Sequence, residues 1–157
     1  MLSIKTFAKK IATASILLCL VSSAFAVTNY PDQLLQQATQ TFQLSTHTPP
    51  TASLIVGNRL FQQSKFKQAY AVMLPWAKQG NQTAQLEIGF MNEFGQGVPQ
   101  SYQKAALWYF LAIRPNQFNG RPMQRAINAY FGLNQKVDYQ TAALWFRMAA
   151  ELSVDRY

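Results

Sequence analysis

The chain has 157 residues and a formal net charge of +8, with 49% hydrophobic and 13% aromatic content. It is too apolar for intrinsic disorder and short enough for about one domain, which leaves no room for a cofactor domain beside a substrate domain. Multidomain enzymes are thereby excluded, and so is a transporter, because no stretch after residue 26 is apolar for long enough to cross a bilayer.

Met1 to Lys10 carries Lys5, Lys9 and Lys10; Ile11 to Val21 is apolar; Ala24-Phe25-Ala26 places small residues at a peptidase site. Three such parts in this order predict an export signal over residues 1–26, cleaved after Ala26, with a mature chain of 131 residues delivered to the periplasm or secreted. The apolar stretch is well short of the roughly 20 residues a spanning helix needs, so no stable membrane span is expected after cleavage. Loss of the three lysines lowers the charge from +8 to +5. Cys19 is the chain's only cysteine and falls within the signal, where Leu17-Leu18 does not suit lipid attachment. The mature protein is therefore expected to have no disulfide, thiolate nucleophile or cysteine ligand, and to be held together by packing.

Residues 27–50 read as a leader helix and a linker. Leu34, Leu35, Ala38 and Phe42 recur at helical spacing within Asp32 to Leu44, and Pro49-Pro50 ends the segment in an extended conformation.

From Thr51 the sequence repeats. Phe66-Lys67-Gln68-Ala69, Tyr102-Gln103-Lys104-Ala105 and Tyr139-Gln140-Thr141-Ala142 each set an aromatic residue three positions before an alanine. Ala105 is followed by Trp108, Tyr109 and Ala112, and Ala142 by Trp145, Phe146 and Ala149 at the same offsets. Three units of about 36 residues result, near 51–81, 82–117 and 118–157. Each reads as two antiparallel helices. Asn81 is the expected N-cap of a helix to about Phe94, Gly95-Gln96-Gly97-Val98-Pro99 breaks it, and Ser101 caps a second helix to about Ile113. In the third unit Pro122 suits a first turn and Asp138 a cap. Small residues such as Ala84, Gly89, Ala105 and Ala112 let paired backbones approach, and Trp108 and Tyr109 are expected to fill the space between units. Hairpins this short bury their apolar faces only by stacking, so the predicted fold is all-α: a solenoid of three helical hairpins, right-handed by fold analogy.

The middle unit resembles the Sel-one-like repeat, a relative of the tetratricopeptide repeat. Ala84 and Gly89, the Gly95-Gln-Gly-Val98 loop, Tyr102 and Lys104-Ala105, and Trp108-Tyr109 match the family pattern in register. The third unit keeps Asp138-Tyr139, Ala142, Trp145-Phe146 and Ala149-Ala150, with Asn134 at the second loop glycine; the first has lost the loop and is shorter. The resemblance implies an adaptor that binds other proteins, typically on its concave face, with exported members active in envelope signalling, host contact or immunity against toxins. Many exported members carry a disulfide in each repeat, which this chain lacks.

Catalytic chemistry finds little support. His47 is the single histidine and stands in a Thr/Pro linker, whereas a Ser-His-Asp site needs partners and zinc takes roughly three or four protein ligands. The acids are Asp32, Glu87, Glu93, Asp138, Glu151 and Asp155; Glu87 and Glu93 share a helix but lie roughly 240° apart around its axis, so no carboxylate pair forms. Asp138 reads as a cap and Glu151 as a solvated last-turn residue. Gly95-Gln96-Gly97 lacks the third glycine of a dinucleotide fingerprint. No catalytic residue, cofactor or metal is expected.

Basic residues are scattered without a dense run, which argues against nucleic acid and for a protein partner with an acidic surface or an anionic envelope surface. Arg121 and Arg125 replace the apolar Ala52 and Val56 of the first unit and are candidates for an anionic contact. Two columns of first-helix positions lack a consistent core character: Ile55, Glu87 and Gln124, and, one turn on, Arg59, Met91 and Asn128. These eight residues form the candidate protein-binding face. The expected function is a monomeric, exported, non-catalytic adaptor or scaffold of the cell envelope. The alternative is a periplasmic immunity protein that occludes the active site of a secreted toxin; a small envelope hydrolase is a weaker third.

Overall fold

A computed structural model describes residues 30–44, 52–113 and 120–154. The expected signal, Cys19, His47 and Asp155 lie outside them. The chain divides into two compact units between Gln33 and Leu34. Of the first unit only Tyr30–Gln33 are described, as the opening turn of a helix; all that follows concerns the second.

Seven α-helices lie in the described residues: α1 Tyr30–Phe42, α2 Leu54–Gln62, α3 Phe66–Lys78, α4 Gln82–Phe94, α5 Tyr102–Ala112, α6 Arg121–Phe131 and α7 Tyr139–Val154. The expected caps hold. Asn81 accepts a hydrogen bond from Ala84 N at 2.9 Å, Ser101 from Lys104 N at 3.3 Å, and Asp138 from Thr141 N at 3.0 Å. Each side-chain oxygen satisfies a helix-end N–H that has no backbone acceptor.

The repeat is visible in the backbone itself. Gly95 ends α4 at φ +68° and Gly132 ends α6 at +69°. Gly97 at +75° is matched by Asn134 at +61°, asparagine being one of the few side chains that tolerate the left-handed region. The loop is then closed by one hydrogen bond at the same place in both hairpins, from Ser101 N to Asn92 O at 2.8 Å and from Asp138 N to Ala129 O at 2.9 Å. The shorter α2–α3 turn closes differently, with Lys65 N donating to Leu60 O at 2.9 Å.

Small residues decide how close the helices come. A Cβ on Gly89 of α4 would lie 2.7 Å from the Tyr109 ring of α5, so glycine is what lets the ring lie against the backbone. Ala84, Ala105, Ala106 and Ala112 are buried around it. Gly97 does the same between hairpins, where a Cβ would meet the Phe66 backbone at 2.5 Å.

The stack runs α2, α3, α4, α5 in sequence order and then changes. Besides its hairpin partner α4, α5 packs on α7, and α6 packs chiefly on α7. Thus the third hairpin docks through its second helix, and α4 touches α3, α5 and α7. Two polar ties orient α7 antiparallel to α4. Gln82 Nε2 donates to Ala112 O and to Ser153 Oγ, both at 2.7 Å, while Glu93, at the far end of α4, meets Arg147.

Trp108, expected to fill the space between units, is fully buried, and Phe42 of α1 stacks on it with centroids 3.9 Å apart. Leu34, Ala38 and Phe42 form the buried stripe of α1, and Gln37 accepts a hydrogen bond from the Tyr130 hydroxyl of α6 at 2.8 Å. Leu34, Ala38 and Phe42 of the segment read as a leader thus belong to the packed core.

Candidate functional site

The arrangement of α2, α4 and α7 leaves a groove of about 380 Å³. Phe61 of α2 and Leu86 and Phe90 of α4 form its apolar side. Tyr109 of α5 reaches its floor, and Arg147 and Glu151 of α7 form the opposite wall, with Glu87 of α4 among them. The aromatic side is a ladder of edge-on contacts: Phe66 to Phe61 at 5.3 Å, and Phe61 to Phe90 at 6.1 Å. Phe90 then meets Phe94 at 4.5 Å, and Phe94 is half exposed at the rim. Such rings offer a rigid apolar surface at low entropic cost.

The polar side is tied into the fold. The Tyr109 hydroxyl donates to Glu93 Oε2 at 2.6 Å, and Arg147 Nη1 donates to the same oxygen at 3.0 Å. One carboxylate so joins α4, α5 and α7. Burial, and then the Glu93 carboxylate beside it, hold the Tyr109 phenol far above its ordinary range, so it stays protonated and keeps its O–H for Glu93. Arg147 also approaches Glu151 at 3.8 Å along α7. Glu87 is different. It is half-buried, no basic residue pairs with it among the described residues, and burial alone pushes its carboxyl above the usual range.

The eight candidate residues separate. Glu87 lines the groove, and Ile55 on α2 is 68% exposed, with Arg59 exposed on the same helix. Met91 is fully buried and leaves the candidate face, because its apolar side chain belongs to the core. Gln124 and Asn128 bond to each other at 2.9 Å on α6, and neither lines the groove. The three first helices do not lie side by side: α6 packs on α7, which packs on α5 and only touches α4. Arg121 and Arg125 are exposed on α6, and the Arg125 guanidinium lies 4.6 Å from the centre of the Trp145 ring. Six groove residues are not among the eight candidates: Phe61, Leu86, Phe90, Tyr109, Arg147 and Glu151. Only the one-turn spacing of Arg147 and Glu151 offered a local signal for them.

Helix hairpins that recur with the same loop angles and the same closing hydrogen bond define a helical-hairpin repeat protein. The model of the Sel1 repeat matches residues 82–114 and 126–154, so the second and third hairpins are Sel1-like repeats. Repeats of this kind generally mediate contacts between proteins. No curated protein and no solved structure matches the chain.

Proposed function

We propose that the protein is an exported, non-catalytic adaptor of the cell envelope that holds another protein in the groove between α2, α4 and α7. The observation that carries this reading is the groove itself, a cleft with a rigid aromatic side and a polar wall fixed by the Glu93 bridge. Concave, mostly apolar surfaces with a few fixed polar groups are where binding energy concentrates. Export is supported by the basic, apolar and small-residue parts of residues 1–26 in their order, and a non-catalytic role by the general use of Sel1 repeats in contacts between proteins.

The test is crosslinking in intact envelopes, with a photoreactive residue at position 90 or, as a control, at position 124, read by mass spectrometry. A defined partner crosslinked from position 90 supports the adaptor reading. Hydrolysis of peptidoglycan or lipid by the purified protein, abolished by Glu87→Gln, overturns it.

A further inference from the structure

The groove has the opposite charge to the chain. There are 14 basic and only six acidic residues in the whole sequence. Yet three of those six acids, Glu87, Glu93 and Glu151, lie in or beside one cleft that contains a single arginine. Arg147 is committed to Glu93 at 3.0 Å and reaches Glu151 only at 3.8 Å. Three carboxylates against one guanidinium leave an excess of two negative charges, held against Phe61 and Phe90. Glu87 bears most of this imbalance, as a half-buried carboxylate in apolar surroundings without a cation among the described residues. A carboxylate so placed is costly unless a cation meets it.

Resting on the adaptor reading, we infer that the groove receives an arginine or lysine side chain from the partner protein, set between Glu87 and Glu151 with its aliphatic stem along Phe61 and Phe90. Ring faces attract such a cation, and the stem buries against them while the charged end reaches the carboxylates. The residues flanking that cation are apolar. On α7, Leu144, Met148 and Leu152 are exposed and one turn apart beside Glu151, and apolar residues of the partner next to the cation would cover this stripe. The partner segment is therefore basic and apolar, although the positive net charge of the chain as a whole favours acidic partners.

The experiment is an NMR titration of the full chain as purified after export, with three blocked tripeptides: leucine–arginine–leucine, the same with neutral citrulline, and the same with glutamate. The arginine peptide is expected to shift the amides around Glu87, Phe90 and Glu151 and to bind on the order of tenfold more tightly than the citrulline peptide. Glu87→Gln and Glu151→Gln, with melting temperature unchanged or raised, each reduce that ratio toward one. Equal binding of the three peptides, preference for glutamate, or no arginine-dependent shift overturns the inference. The adaptor reading fails separately, if position 90 crosslinks to no defined partner.

Discussion

Phe42 lies flat on Trp108, with ring centroids 3.9 Å apart and planes inclined by 15°. The contact joins the helix that precedes the repeats to the second helix of the middle hairpin and closes the core over an indole that sits fully buried. Phe42→Ala removes an aromatic ring from this junction, for which the expected loss is about 3 kcal/mol. Urea unfolding measures it, and a red shift of tryptophan emission is expected with it. An unchanged midpoint would mean that α1 contributes nothing to the stability of the stack.

Gly89 poses the reverse problem. Alanine favours a helix interior over glycine by about 1 kcal/mol, so an exposed glycine of this kind would be improved by the change. Here the new Cβ lies 2.7 Å from the Tyr109 ring, which is itself anchored through its hydroxyl to Glu93. Overpacking therefore outweighs propensity, and Gly89→Ala is expected to destabilise by about 1–2 kcal/mol. Combining it with Tyr109→Leu, which removes the ring, should recover part of that loss in a double-mutant cycle.

Glu87 and Glu93 are on the same helix and should respond with opposite signs to loss of charge. Glu93→Gln weakens bonds from both Tyr109 and Arg147, and the expected loss is about 1–2 kcal/mol. Glu87 has its carboxyl raised by burial, so its charged form is the one the fold disfavours. The sign follows from linkage: a raised folded-state pKa gives stability that is present at low pH and lost as pH rises through the raised value. Glu87→Gln should thus melt at the same temperature as the parent below the carboxylate range and slightly higher at neutral pH. Thermal melts at pH 3.5 and 7.5 distinguish the two variants.

The features legible in the sequence are those fixed by neighbours along the chain. Asn81, Ser101 and Asp138 cap their helices because a cap needs only an acceptor oxygen and an N–H about three residues later. Asn134 could be placed opposite Gly97 because a left-handed loop position admits few residue types. What the sequence did not disclose depends on which helix docks beside which. Units alike in their apolar pattern can stack through either helix, and the choice of α7 over α6 brought Arg147 and Glu151 to the groove and took Gln124 and Asn128 away from it. Met91 shows a second limit, since a variable column looks alike whether a given member faces solvent or core, and Met91 is fully buried.

Asp138 tests whether the third hairpin depends on its cap as the local pattern implies. Its carboxylate accepts hydrogen bonds from Thr141 N at 3.0 Å and Thr141 Oγ1 at 2.6 Å, and these bonds hold its pKa below the ordinary aspartate value. Asp138→Ala leaves the first turn of α7 without its acceptor and is expected to cost about 1 kcal/mol. Asp138→Asn keeps an acceptor oxygen and loses only the charge, so it should fall between the two at neutral pH. A lowered folded-state pKa gives stability that is present above the unfolded aspartate value and lost as pH falls through the lowered one. The advantage of aspartate over asparagine should accordingly shrink as pH drops below 4, by a small amount because the carboxylate is well exposed to solvent. Urea midpoints at pH 7 and pH 2.5 for the three proteins measure it, and an asparagine variant as weak as alanine at both pH values would show that the hydrogen-bonding cap does not stabilise α7.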